Sequence, residues 1–232
     1  MNIVPPKEIE KEWANYEKLK DSGLRKQANK ALLTVIEEIQ NGNKHRMKEF
    51  LLSLFDDALT KFSETRIQQP LFVKCILPIL VQGLKAGLAR EITYIVRANE
   101  CGFGDEIFKE LGELSNEELL KSALASEPGN IEAINLLANE YVSILDFGAH
   151  HLPSGLVIEL DYAKRVISES AAFILKHRDN IHENIIKEHQ YYSSLYTDYQ
   201  KWKAEEKNLD FAGWCSKNKL EYSWVTAVYY EK

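Results

Sequence analysis

Apolar residues recur every three to four positions along most of this chain, the spacing that places them on one face of an α-helix. No window alternates as a β-strand would, and only the last dozen residues leave that interpretation open. The pattern therefore predicts an all-α fold. Outside the centre of the chain, the predicted helices span residues 7–20, 24–40, 44–63, 68–87, 91–99, 156–178 and 181–206.

The central segment from Asn116 to Pro153 holds two further amphipathic patterns. Pro128 separates them, because proline lacks the amide proton that a continuing helix needs and disfavours helical angles in the residue before it. Asn116 is placed to cap the first of the two helices. The residues predicted to be buried are Leu119, Leu120, Ala123 and Leu124 in the first helix, and Ile131, Ile134, Leu137, Ala138, Tyr141, Ile144 and Leu145 in the second.

This central pattern resembles a tetratricopeptide (TPR) repeat, a helix pair with a period of about 34 residues. Leu120, Ala123 and Pro128 match the end of one unit, and the start of the next is matched by Ile134, Leu137, Ala138 and Tyr141. The resemblance covers roughly residues 103–145. It implies a right-handed stack of antiparallel helix pairs, as an α-solenoid or helical bundle, with a concave surface that suits a protein or peptide ligand.

The length of 232 residues fits one all-helical domain over 1–232, with a subdivision into 1–99 and 100–232 as the alternative. The longest apolar stretch, 71–88, contains two lysines and the central Pro78, which favours a buried, kinked helix over a membrane span. Three scattered cysteines favour reduced thiols, and no secretory pattern opens the chain. We therefore predict a cytoplasmic protein with no membrane partner.

Negative charge is concentrated in one part of the chain. The net charge is −6, but residues 1–99 carry +4, residues 100–146 carry −9 and residues 147–232 carry −1. An acidic balance argues against direct binding of nucleic acid. Clustered carboxylates are typical of a solvated helix face, and also of a docking surface for a basic partner protein. We take the second interpretation for the six that fall within 14 residues: Asp105, Glu106, Glu110, Glu113, Glu117 and Glu118.

Candidate catalytic or metal chemistry is sparse. Asp146, His150 and His151, with Glu159 nearby, form the nearest approach to a metal site and are kept as a candidate secondary site. Adjacent histidines on a loop point in different directions, so we predict no metal there. His182 and His189 are seven residues apart, whereas a zinc protease helix needs a spacing of four, which favours a solvated face. No nucleotide loop or catalytic triad is evident, so we predict no cofactor and no enzymatic activity.

These observations favour a non-catalytic protein–protein interaction module whose acidic helical surface binds a basic partner. An immunity protein that neutralises a cationic nuclease toxin is the concrete example. The alternatives are a helical metal-dependent enzyme that uses the His150–His151 loop, and a peptide-binding regulatory repeat protein. The sequence leaves open the partner's identity and the oligomeric state. It also leaves open whether the aromatic residues near the C-terminus belong to the core or to an interface.

Overall fold

The computed structural model describes residues 3–60, 67–98, 102–205 and 208–223, and every regular element in these ranges is helical. The predicted all-α class is therefore confirmed. None of the described helices combines the length and the apolar character that crossing a bilayer requires. Most of the last dozen residues, where strand-like alternation was left open, lie outside the described residues.

The chain divides into two compact units, Met1–Pro128 and Gly129–Lys232. The boundary falls inside the segment that resembles a TPR repeat, and not near residue 99. The first unit contains α1 (Glu10–Asp21), α2 (Arg25–Asn41), α3 (Lys44–Thr60), α4 (Gln69–Leu71), α5 (Leu77–Lys85), α6 (Ala89–Ala98), α7 (Gly104–Leu111) and α8 (Asn116–Ser126). The second contains α9 (Ile131–Ala149), α10 (Leu160–His177), α11 (Glu183–Glu205) and α12 (Phe211–Lys217).

In the first unit, α1 packs on α2, α5 packs on α6, and α6 also packs on α8. Aromatic rings fill its centre. The ring of Phe72 stacks on that of Phe103 with centroids 4.0 Å apart, and Phe55 meets Tyr94 edge-on at 5.7 Å. Burial of such rings is a large favourable term, because each removes much apolar surface from water.

Where the sequence predicts a kink around Pro78, the structure has a π-helical turn, Phe72–Ile76, between α4 and α5. Proline has no N–H to give to the carbonyl four residues earlier, which belongs to Lys74. The side-chain amide of Gln40 in α2 donates to that Lys74 carbonyl at 3.4 Å. A neighbouring helix thus supplies the hydrogen bond that the proline cannot.

In the second unit, α9 packs on both α10 and α11. Gly148 makes close approach feasible, because a Cβ at this position would overlap the Tyr196 hydroxyl and the Ile158 side chain. The Tyr196 hydroxyl donates to the Leu145 carbonyl at 2.9 Å. Asn135 also ties α9 to the turn before α11: its amide donates to the Asn180 carbonyl at 2.7 Å, and its oxygen accepts from the His182 amide at 2.9 Å.

Two details of the central segment differ from the sequence-based predictions. Ser115, not Asn116, caps α8, because its hydroxyl accepts from the Glu118 amide at 3.3 Å. Ile131 was predicted to be buried but is 58% exposed. It is the first residue of α9, and the buried residues of this helix begin only at Ala133. Leu124 and Ile144 are half-buried, and the other predicted core residues of this segment are buried.

Candidate functional site

The six predicted acidic residues lie on α7, on the loop after it and on the first turn of α8. The buried face of α7 is set by Ile107, and that of α8 by Leu119 and Leu120. Asp105 on α7 and Glu118 on α8 therefore lie away from the core. Gly112, with a φ of 76°, adopts a left-handed conformation between the two helices.

Four of the six carboxylates are exposed: Asp105, Glu110, Glu113 and Glu118. No ion pair engages any of these four within the described ranges. The other two are partly compensated. Glu106 accepts a hydrogen bond from the Gln69 amide, and Glu117 pairs with Lys121 one turn later in α8, both at 2.5 Å. We call the four exposed residues the acidic surface.

Part of this acidity also serves the helices themselves. Asp105 and Glu106 lie in the first turn of α7, and Glu117 and Glu118 lie in the first turn of α8. Negative side chains there interact favourably with the unpaired amides and the positive end of the helix dipole, by roughly 0.3–1 kcal/mol each. Glu110 and Glu113 have no such role, since they lie in the last turn of α7 and in the following loop.

Two large apolar side chains lie exposed within the acidic segment, and the sequence analysis did not single them out. Phe108 is 61% exposed and Leu114 is 37% exposed. The available signal was the pair Ile107-Phe108: neighbours on a helix point about 100° apart, so a narrow core-facing stripe cannot bury both. Aromatic side chains are enriched at the centres of protein interfaces, and charged residues lie mostly at the rim.

A groove of about 340 Å³ runs along the outer face of α5 and reaches α7. Its floor is apolar, since Leu77 and Val81 are buried and Val73 is 39% exposed. Glu110 belongs both to this groove and to the acidic surface. The lining residues are Val73, Leu77, Pro78, Val81, Gln82, Lys85 and Glu110.

The candidate secondary site is only partly brought together. Asp146 and His150 line one pocket of about 370 Å³, which we call the tyrosine pocket; its other lining residues are Ala149, Leu152, Tyr191, Tyr192, Leu195 and Ser223. His151 and Glu159 do not line it. Across the part of the chain that the structure describes, no three His, Cys, Asp or Glu side chains converge closely enough to hold a metal ion.

The tyrosine pocket was missed by sequence reasoning because its two walls are 46 residues apart in the chain. The hydroxyl of Tyr192 donates to Asp146 Oδ1 at 2.5 Å. Burial, chiefly, and the hydrogen bond to Asp146 raise the pKa of Tyr192 above its ordinary value of 10.0, so the phenol stays protonated.

His189, expected on a solvated face, is in fact buried, and so is Ser170. The Ser170 Oγ and His189 Nε2 atoms lie 2.6 Å apart, and the same Oγ lies 2.7 Å from the Val166 carbonyl. Burial lowers the pKa of His189 below its ordinary value of 6.5, partly offset by a hydrogen bond to the Ile167 backbone. With 0% and 6% of their surfaces exposed, this serine and histidine join α10 to α11 and offer no access to a substrate.

Comparison with protein-family models, with curated proteins and with solved structures finds no match. The functional assignment therefore rests on the geometry of this chain alone.

Proposed function

We propose that this protein is a non-catalytic interaction module whose acidic surface binds a basic partner protein. The observation that carries the proposal is a set of four exposed carboxylates that form no ion pair with any described residue and share the α7–α8 segment with the exposed Phe108. The partner supplies the positive charge that these carboxylates lack among the described residues of the first unit.

The electrostatic part of this function is attraction at long range. Carboxylates of one sign on one surface raise the rate at which a basic protein meets that surface, by roughly 10- to 1,000-fold at low salt, and salt screens the effect. The rest of the chain does not share this concentration of acidity, since residues 1–99 carry a net charge of +4 and residues 147–232 carry −1. The attraction is thus directed to one part of the molecule.

The apolar part of the function is anchoring at short range. Phe108 gives a rigid ring that a partner can cover, and the groove beside Glu110 has room for an apolar side chain. A few such anchors usually carry most of the binding energy of an interface, while the surrounding charges orient it. The partner is therefore expected to present an apolar side chain flanked by lysine or arginine.

The concrete form of the proposal is an immunity protein that blocks a cationic nuclease toxin. Such a toxin carries a basic surface for nucleic acid, and an acidic protein that covers this surface competes with the phosphate backbone. The proposal also includes the TPR-like stacking of helix pairs. Its support is that consecutive helices, such as α1 with α2 and α9 with α10, pack as neighbours.

The test is capture of a partner from the cells that make the protein. The bait variants are wild type, a charge-reversed triple variant (Glu110→Lys, Glu113→Lys and Glu118→Lys) and a matched triple variant (Asp21→Lys, Glu37→Lys and Glu38→Lys). Both triples change the net charge equally and leave the core intact. We expect one basic protein to be retained by wild type and by the matched triple, and lost from the charge-reversed triple. Equal retention by all three baits would contradict the proposal.

A further inference from the structure

The tyrosine pocket lies entirely within the second unit and has no part in the proposed function. Its two walls come from different elements: Asp146, Ala149, His150 and Leu152 from the end of α9 and the loop after it, and Tyr191, Tyr192 and Leu195 from α11. Ala149, Leu152 and Leu195 are at most 9% exposed and form an apolar floor. A ligand seated there would lose contact with water on its lower side.

Aromatic rings give one side of this pocket the shape of a corner. The rings of Tyr191 and Tyr192 lie 5.1 Å apart at an interplanar angle of 84°, and Tyr222 packs against Tyr191 at 5.7 Å and 73°. The hydroxyl of Tyr191 accepts a hydrogen bond from the Ser223 amide at 3.1 Å, which holds its ring in place. Rings at right angles can offer a π-face and an edge to the same guest, and the π-face attracts cations.

The charge around the pocket is negative. Asp146 uses Oδ1 to accept from Tyr192, and no hydrogen bond within the described residues engages its Oδ2. Glu188, one turn before Tyr192 on α11, adds a second negative charge, since it contributes to the raised pKa of Tyr192. None of the lining residues is a lysine or an arginine. Within the described residues, no lysine or arginine forms an ion pair with the Asp146 carboxylate.

The geometry points to a binding site for an alkylammonium group, with its charge beside Asp146, its methyl or methylene groups on Tyr191 and Tyr192, and its carbon chain on Leu152 and Leu195. A bare metal ion is disfavoured, because Asp146 and His150 are joined by no third ligand among the described residues. An anion is disfavoured by the two carboxylates. A neutral apolar ligand would use the floor but leave Asp146 unpaired, which costs affinity when a carboxylate is desolvated.

The test uses two probes of one shape: choline, and 3,3-dimethylbutan-1-ol, in which a carbon replaces the charged nitrogen. Each is titrated into the full chain and binding is followed by saturation-transfer NMR of the probe. We expect saturable binding of choline, and binding of the neutral alcohol weaker by about tenfold or more. Equal affinity for the two probes, or no saturable signal from choline, would overturn the proposal.

Variants locate the site. Asp146→Asn keeps an oxygen for the Tyr192 hydroxyl and removes the charge, and Tyr191→Leu keeps an apolar side chain and removes the ring. Each should weaken choline by about tenfold while circular dichroism stays unchanged. The matched control is Asp161→Asn on α10, whose side chain is 94% exposed and pairs with Lys164 outside the pocket. Wild-type affinity in Asp146→Asn, or equal weakening in the control, would contradict the assignment.

A third probe separates two sources of the same chemistry. Nα-acetyl-lysine amide carries a primary ammonium on a four-carbon chain, as a lysine of a bound polypeptide would. Tighter binding of this probe than of choline assigns the pocket to a lysine side chain, and the reverse order assigns it to a free quaternary ammonium compound. Both results support the alkylammonium site.

Discussion

Glu91 lies so close to Gly83 that a Cβ on the glycine would overlap the side chain of the glutamate. Glu91 is only 4% exposed, and its carboxylate pairs with Lys48 Nζ at 2.7 Å. Because Gly83 on α5 has no side chain, the Glu91 side chain on α6 can pack against it. In this position the Glu91 carboxylate reaches Lys48 on α3. A buried carboxylate is tolerated because it is paired.

We predict that Gly83→Ala destabilises the first unit, by about 1–3 kcal/mol. The added methyl group forces the Glu91 side chain to move and lengthens its contact with Lys48. The free-energy cost of this displacement exceeds the stabilisation of about 1 kcal/mol that replacing glycine by alanine usually gives in a helix interior. The measurement is urea unfolding followed by circular dichroism. Gly129→Ala, in the turn before α9, is the comparison variant: a Cβ there meets nothing within 4 Å, and its stability should stay within about 0.5 kcal/mol of wild type.

The stability of the second unit should fall as the pH is lowered from about 7.5 to about 5.5. Burial, chiefly, lowers the pKa of His189 in the folded state below its ordinary value of 6.5, so the unfolded chain binds the proton more readily. The neutral form of His189 therefore makes its full contribution to the free energy of unfolding above pH 6.5. This contribution is lost as the pH falls towards the pKa of His189 in the folded state. Unfolding midpoints in urea across this range measure the loss.

A pair of variants assigns this pH dependence. His189→Gln should be less stable than wild type at every pH, because the 2.6 Å contact with Ser170 changes, but its stability should vary less with pH. His177→Gln is the comparison variant: the pKa of His177 is also lowered, chiefly by burial and then by Lys176, but its ring is only half-buried and packs on Phe173 at 4.7 Å. An unchanged pH dependence in His189→Gln would rule out the buried histidine as its source.

Phe108→Ser should leave the free energy of unfolding within about 0.5 kcal/mol of wild type, because its ring is 61% exposed. The same change should weaken binding of the basic partner by about 1–3 kcal/mol, since an exposed aromatic within the acidic surface is the expected anchor. Calorimetry of unfolding and of binding gives the two numbers. The comparison variant is Phe147→Ser on α9, which is also 61% exposed and lies outside the acidic surface; a similar loss of binding in this variant would contradict the anchor role.

Helical periodicity predicted most of the elements because it reports local burial, but α7 (Gly104–Leu111) is not among the predicted spans. The ends were harder: α10 begins at Leu160 and not near residue 156, because a turn over residues 151–154 and a bend at 157–158 come before it. The exposure of Asp105, about 160° around the helix from the buried Ile107, follows directly from a period of 3.6 residues. Local pattern was enough for this part of the candidate site.

Contacts between distant residues could not be obtained this way. The pairing of Asp146 with Tyr192 and of Ser170 with His189 depends on how α9, α10 and α11 pack, which no single helix encodes. His189 was assigned to a solvated face because its neighbours in sequence, Glu188 and Gln190, are polar. Packing of α10 over that position buried it instead, and the serine on α10 made the burial tolerable by supplying a hydrogen-bond partner.

The most direct test of the acidic surface is the rate at which the protein associates with its isolated basic partner, measured by stopped flow at low and at high salt. We predict that the wild-type rate falls steeply with salt. At low salt, the triple variant Glu110→Lys, Glu113→Lys and Glu118→Lys should associate at least about tenfold more slowly than the matched triple at Asp21, Glu37 and Glu38. Equal rates for the two triples, or a wild-type rate that salt does not change, would contradict the account.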